Sequence, residues 1–179
     1  MFFVRKLNAV LVLMLILLGG SATSLAQEIN YKAYTLFVYN FMKYIEWPQE
    51  SSSKNDFVIG VVGESPIVKE LQSLAQVKKV KGKTIIVKQI SSVEEAVTCN
   101  LIYITSPKSS ILKTLNEKIK SKPILLVAER EGLARKGAAL SFITLEDEDI
   151  LKFEINKSAI EGHYLKIPTV LISLGLLVG

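Results

Sequence analysis

Phe57-Val58-Ile59-Gly60-Val61-Val62-Gly63 is the stretch that decides how this chain is read. It is a short, unbroken apolar run, rich in β-branched residues and bounded by glycine with a proline soon after. Such a run predicts a strand buried on both faces, as in a parallel sheet covered by helices. Pro66 follows at a first helical position with Ser65 or Glu64 as cap, which predicts a helix to about residue 75. The alternation then repeats: a strand over 83–90, a short helix over 93–97, a strand over 101–105, a helix over 109–120 and a strand over 124–128. Ser106-Pro107 and Lys122-Pro123 punctuate the changes. Strands alternating with helices argue for right-handed crossovers and a mostly parallel sheet. The expected fold is therefore α/β, a three-layer sandwich of Rossmann-like or flavodoxin-like type.

Upstream lies a helix over 29–45. Ile29, Ala33, Leu36, Phe37, Phe41, Tyr44 and Ile45 recur at three- and four-residue steps on one face, with Lys32, Thr35, Lys43 and Glu46 largely opposite. The helix should stop at Trp47, because a residue before proline is steered out of the α region. Tyr34, Val38, Tyr39 and Met42 fall off the main face, so the helix is apolar almost all round, which implies burial on two sides or a partner surface. Asn40 and Trp47 are given structural hydrogen-bonding roles. A polar connector covers 51–55. Downstream, strands over 138–144 and 151–155 form an antiparallel C-terminal hairpin at the sheet edge, joined by Leu145-Glu146-Asp147-Glu148-Asp149. The chain closes with a helix over 157–161, a break at Gly162 and an apolar helix over 168–178 too short to span a bilayer.

The first 26 residues read as an export signal. Arg5 and Lys6 precede the ten-residue apolar run 9–18, and a small-residue tail ends in Ser24-Leu25-Ala26, which suits cleavage after Ala26. An uncleaved anchor is the competing reading, but the run is about half the ~20 residues a span needs. Residues 27–179 then form one α/β domain, consistent with a length that suits a single core.

Composition excludes several chemistries. Among 179 residues with a net charge of +5 there is one Cys, one His and one Trp. These cannot supply a two-His metal site, a structural zinc site or an internal disulfide, and a catalytic triad would rest wholly on His163. Without the leader the charge falls to +3 with no aromatic-interleaved basic stripe, so nucleic-acid binding is not indicated. Lys69, Lys78, Lys79, Lys81, Lys83 and Lys88 read as a solvated helix end and strand edge rather than a phosphate track. Residues 146–149 lack the alternation and glycine of a calcium loop and read as a solvated turn. Gly60-Val61-Val62-Gly63 lacks the third glycine of a dinucleotide fingerprint, so no cofactor is expected. Cys99 reads as a small buried residue, or one paired with another chain. His163 reads as surface or capping; a hydrolase would need an acidic or nucleophilic group within ~3 Å of it.

In parallel sheets ligands gather at the strand carboxyl ends. Those ends carry Gly63-Glu64-Ser65, Thr105-Ser106-Pro107 and Glu129-Arg130-Glu131, which points to a shallow small-molecule or peptide groove formed by Ser65, Ser106 and Glu129.

The block Tyr34, Leu36-Phe37-Val38-Tyr39-Asn40-Phe41, Lys43-Tyr44-Ile45-Glu46-Trp47-Pro48 and the strand 57–63 resemble the opening of the YfiR/HmsC family of exported bacterial proteins. Gly82-Lys83, Cys99-Asn100-Leu101-Ile102-Tyr103-Ile104, Ile124-Leu125-Leu126-Val127, Glu131-Gly132-Leu133, Gly137, Phe153-Glu154-Ile155-Asn156, Ala159 and the Leu-rich run 170–177 extend the match. The resemblance implies a periplasmic, often dimeric α/β regulator and no catalytic residues. Such a protein restrains a membrane-bound diguanylate cyclase through its periplasmic sensor domain, lowering cyclic-di-GMP signalling and biofilm formation. Asn40, Trp47, Pro48 and Asn156 lie in the matching motifs and read as structural. Relatives of the characterised type rely on disulfides that Cys99 alone cannot form. The alternative is a periplasmic small-molecule-binding domain of a sensory or transport system. If the leader is cleaved as read, N-terminal sequencing of protein recovered from the periplasmic fraction begins at Gln27; a mature chain that still carries Met1 overturns the reading.

Overall fold

The computed structural model describes residues 30–48, 55–145 and 150–179. The export signal, most of the polar connector and the acidic turn at 146–149 lie outside them. Helix α1 spans Tyr31–Tyr44 and strand β1 spans Asp56–Val62. Then come α2 (Ile67–Val77), β2 (Lys79–Val80), β3 (Lys83–Ile90), α3 (Val93–Ala96) and β4 (Leu101–Ile104). A 3-10 turn over Ser106–Ile111 leads into α4 (Leu112–Lys118), followed by β5 (Leu125–Ala128) and a second 3-10 turn, Ala134–Lys136. Strands β6 (Leu140–Leu145) and β7 (Ile150–Ile155), helices α5 (Lys157–Gly162) and α6 (Thr169–Ile172) and strand β8 (Leu176–Leu177) complete the chain.

The strands form one eight-stranded sheet in the order β2-β3-β1-β4-β5-β6-β7-β8. The pairs β3-β1, β1-β4, β4-β5 and β5-β6 are parallel, as the alternating sequence pattern requires. Successive residues of the central strands point into two separate cores. Ile59, Val61, Leu101, Tyr103, Leu125 and Val127 face α1 and α2, whereas Val62, Ile102, Ile104, Leu126 and Ala128 face α3 and α4. The chain first steps from β1 to β3, then returns past β1 to β4 and β5. A right-handed crossover moves the covering helix to the opposite face when the direction reverses, which is why α2 and the α3–α4 pair lie on different sides.

Three expectations are corrected. The buried face of α1 is Tyr34, Thr35, Val38, Phe41 and Met42, continued by Ile45, while Leu36 and Tyr44 are exposed. Phe41 and Ile45 belong to both descriptions, but the stripe is turned because Tyr34 and Phe41 are needed against Phe142 and Phe153 of the hairpin. Ring centroids lie 4.4 Å apart for Tyr34–Phe142 and 4.9 Å for Phe41–Phe153. Second, the apolar C-terminal helix stops at Ile172, and β8 follows. A Cβ on Gly175 would lie 2.6 Å from both Phe153 and Ile155, so the glycine lets the backbone close onto β7. Third, β7 therefore pairs with β8 in parallel, and the β6–β7 hairpin lies inside the sheet edge rather than at it.

Phe142 is the hub of this packing, in ring contact with Tyr34, Phe37, Phe41 and Tyr103. It is 1% exposed. Phe142→Ala is expected to cost about 3–5 kcal/mol, read as a lowered urea midpoint with an unchanged slope; a loss under about 1 kcal/mol would show that α1 is not anchored there.

Candidate functional site

Strand order reverses at β1, and a crevice opens there over the carboxyl ends of β3, β1 and β4. The crevice measures about 690 Å³ and is lined by Val62, Gly63, Gln89, Thr105 and Lys108, among others. Gly63 has φ of +96°, and a side chain there would collide with Thr105 and Lys108, so a glycine is required where the loops after β1 and β4 approach. The loops are also tied directly. Thr105 donates its hydroxyl to the Val62 carbonyl at 2.9 Å, and the Gln89 amide donates to the Gly63 carbonyl at 3.2 Å.

Ser65, Ser106 and Glu129 do not line this crevice. They lie on the α1 side, where Ser106 and Glu129 are bonded to each other and Tyr31 approaches both Glu129 and Ser65. Glu129 is buried and accepts from the Ser106 backbone N–H at 2.5 Å and from the Tyr103 hydroxyl at 3.4 Å. Tyr31 lies near enough to both Glu129 and Ser65 to feel them electrostatically, and the Ser65 hydroxyl accepts from the Ile67 amide at 3.3 Å. No cation among the described residues pairs with Glu129. Burial, and then the Glu129 charge, hold the Tyr103 hydroxyl well above its ordinary range. Tyr31 and Tyr34 are raised too, again first by burial.

A second buried acid organises the loop after β5. Glu154, 3% exposed, accepts from the Ser141 hydroxyl at 2.6 Å, the Gly132 amide at 2.9 Å and the Arg135 guanidinium at 3.1 Å. Ser141 in turn accepts from the Ala134 amide. Asn156 caps α5 by accepting from the Ala159 amide, and its own amide donates to the Ala134 carbonyl at 2.8 Å. Glu-Ile-Asn is thus one device, in which alternate residues of β7 and its end hold segment 132–136 from beneath. Glu154 was not singled out from sequence. Its signal is a carboxylate at an inward position of an apolar strand, which only a local cluster of donors makes tolerable.

The other singled-out residues divide. Asn40 is exposed and its side chain makes no hydrogen bond among the described residues, and the buried Trp47 Nε1 finds no partner among them, so neither has the expected hydrogen-bonding role. Trp47 acts through its ring instead. It packs edge-on against Phe57 at 5.1 Å, with the Lys81 ammonium 5.3 Å above it. That ammonium also donates to the Ile45 carbonyl at 2.5 Å, and partial burial lowers its pKa, so Lys81 is not simply part of a solvated edge. Pro48 is half-buried beside Trp47. Cys99 is buried with its thiol pushed up by desolvation, and a Cβ on Gly60 would lie 2.7 Å from its Sγ. His163 is buried at the end of α5, its Nδ1 3.0 Å from the Lys122 carbonyl, with no acidic or nucleophilic side chain bonded to it among the described residues. No set of three His, Cys, Asp or Glu residues placed to hold a metal occurs among the described residues, and none of their helices is long and apolar enough to cross a membrane.

A doubly wound α/β domain with flavodoxin-like order around β1 and an open crevice at its reversal point defines the class. Within that class, residues 31–175 match the YfiR/HmsC-like family, and the chain belongs to it. No individually curated protein matches the chain.

The buried tyrosines set an alkaline limit. A hydroxyl whose pKa is raised by folding stays protonated while its unfolded counterpart ionises, so stability is fully present below about pH 10 and falls as pH rises further. Tyr103→Phe should flatten that fall in a urea titration between about pH 10 and 11.5; an identical slope in variant and parent would remove Tyr103 from the account.

Proposed function

We propose that the protein is an exported, non-enzymatic regulator that acts in the periplasm by contact with the sensor domain of a membrane-bound signalling partner, a diguanylate cyclase by the family's precedent. Membership of the YfiR/HmsC-like family supports this reading. The observation that carries it is a set of exposed aliphatic side chains in the C-terminal segment that ends on the last strand of the sheet. Val170, Leu174, Leu176 and Leu177 are 51%, 61%, 47% and 59% exposed within eight residues of chain. Single exposed aliphatics are ordinary on protein surfaces, but four within one short segment at the end strand of a sheet suit a contact with a partner. Among the described residues strand β8 is the last of the sheet, a position from which a partner can extend it.

A second reading, a small-molecule-binding domain of a sensory or transport system, is favoured by the strand-end crevice, whose 690 Å³ falls within the ordinary range for ligand pockets. The two readings separate genetically. Under the regulatory reading, deleting the gene raises cellular cyclic-di-GMP, the parent protein restores it, and Leu174→Glu fails to do so while melting at the parental temperature. A deletion that leaves cyclic-di-GMP and biofilm mass unchanged overturns the cyclase reading.

A further inference from the structure

We infer that the cleft between α4 and the loop after β5 is a binding site for a phosphoryl group. The cleft, about 300 Å³, is lined by Ser109, Ser110, Lys113, Arg130 and Lys136, with no carboxylate in its wall. Its cations come from separate parts of the chain. Lys113 stands on α4, Arg130 just past β5 and Lys136 in the second 3-10 turn. None of the three has an acidic partner among the described residues, whose ion pairs are Lys118–Glu94, Arg135–Glu154 and Lys157–Glu161. Like charges gathered without a counter-charge repel one another, and an anion seated among them relieves that repulsion.

The three cationic side chains are exposed, but the backbone that carries two of them is held in place. Between Arg130 and Lys136, the Gly132 amide and the Arg135 guanidinium bind the buried Glu154, and the Ala134 amide and carbonyl bind Ser141 and Asn156. Asn116 of α4 donates to the Gly137 carbonyl at 3.1 Å, which joins the two walls of the cleft. Leu133, between them, is buried. The buried acid thus neutralises Arg135 alone and leaves Arg130 and Lys136 on a fixed backbone. A fixed backbone limits how far their head groups can spread, which lowers the ordering cost of binding an anion.

The chemistry of the donors points to phosphate. A planar guanidinium with two ammonium groups suits a tetrahedral oxyanion of charge near −2, since the guanidinium can donate two parallel bonds and each lysine acts as a point charge. Ser110 is exposed and its hydroxyl makes no hydrogen bond among the described residues, whereas Ser109 spends its proton on the Ser106 carbonyl at 2.6 Å. Ser110 is therefore the hydroxyl donor to the anion. The cleft's size suits a phosphoryl group with a small body attached, whether on a soluble phosphoester or on an anionic lipid headgroup.

The test pairs calorimetric titration with inorganic pyrophosphate and cosedimentation with phosphatidylglycerol vesicles, phosphatidylcholine vesicles serving as the neutral reference. The double variant Arg130→Gln/Lys136→Gln is compared with Lys69→Gln/Lys78→Gln, which removes the same charge from exposed positions far along the chain. The expected result is saturable pyrophosphate binding that weakens tenfold or more in the cleft variant only, and weakens with added salt. Binding to phosphatidylglycerol with the same dependence on Arg130 and Lys136, without pyrophosphate binding, assigns the phosphoryl group to lipid. Equal losses in both double variants, or no binding to either probe by the parent protein, overturn the proposal. Matching melting curves for the two variants exclude unfolding as the cause.

Discussion

Burial of the central strands on both faces is the constraint on which the rest of the architecture depends. Leu101, Ile102, Leu125, Leu126 and Val127 are wholly removed from solvent, and each side chain of this size contributes about 1.5–3 kcal/mol when fully buried. Strands with no solvent face need a helical layer on each side, and right-handed crossovers deliver both layers only if the chain reverses direction across the sheet. The reversal at β1 is thus a consequence of burial. The crevice over the ends of β3, β1 and β4 follows from the reversal in turn, before any ligand enters the argument.

The sheet and most of its boundaries were legible because a β-branched apolar run with two buried faces has few alternatives. Strand β3 occupies the expected residues, and β1, β4, β5 and β7 differ by a residue or so at an end. What escaped detection depends on distant partners. The α1 stripe was ambiguous because apolar residues surround the helix, and only the aromatic pair Phe142 and Phe153 selects which side is buried. Strand β8 was read as helix because Leu-Ile-Ser-Leu-Gly-Leu-Leu suits either state locally; contact with Phe153 and Ile155 at Gly175 decides it. Trp47 was assigned a polar role from its indole N–H, yet its ring edge and the Lys81 cation determine its place.

At the strand ends, the expected groove residues Ser65, Ser106 and Glu129 lie outside the crevice lining. Ser106 and Glu129 are bonded to each other on the α1 side of the sheet, with Tyr31 near both Glu129 and Ser65. Two buried carboxylates, Glu129 and Glu154, fasten the loops after β4 and β5 through backbone amides, a strong kind of hydrogen bond because the acceptor is charged. These bonds fix the loop backbone at two separate strand ends.

The aromatic contact between Tyr34 and Phe142 also has a temporal side. The two residues are more than a hundred positions apart, while β1, β3 and β4 pair across much shorter stretches of chain. Contacts closed over long separations form late, since the loop entropy must be met before they are rewarded. A chain produced from its N-terminus makes α1 first and its partner hairpin near the end. Tyr34, Phe37 and Phe41 therefore stay uncovered until that hairpin forms, and docking of α1 completes, beside α2, the covering of one face of the sheet.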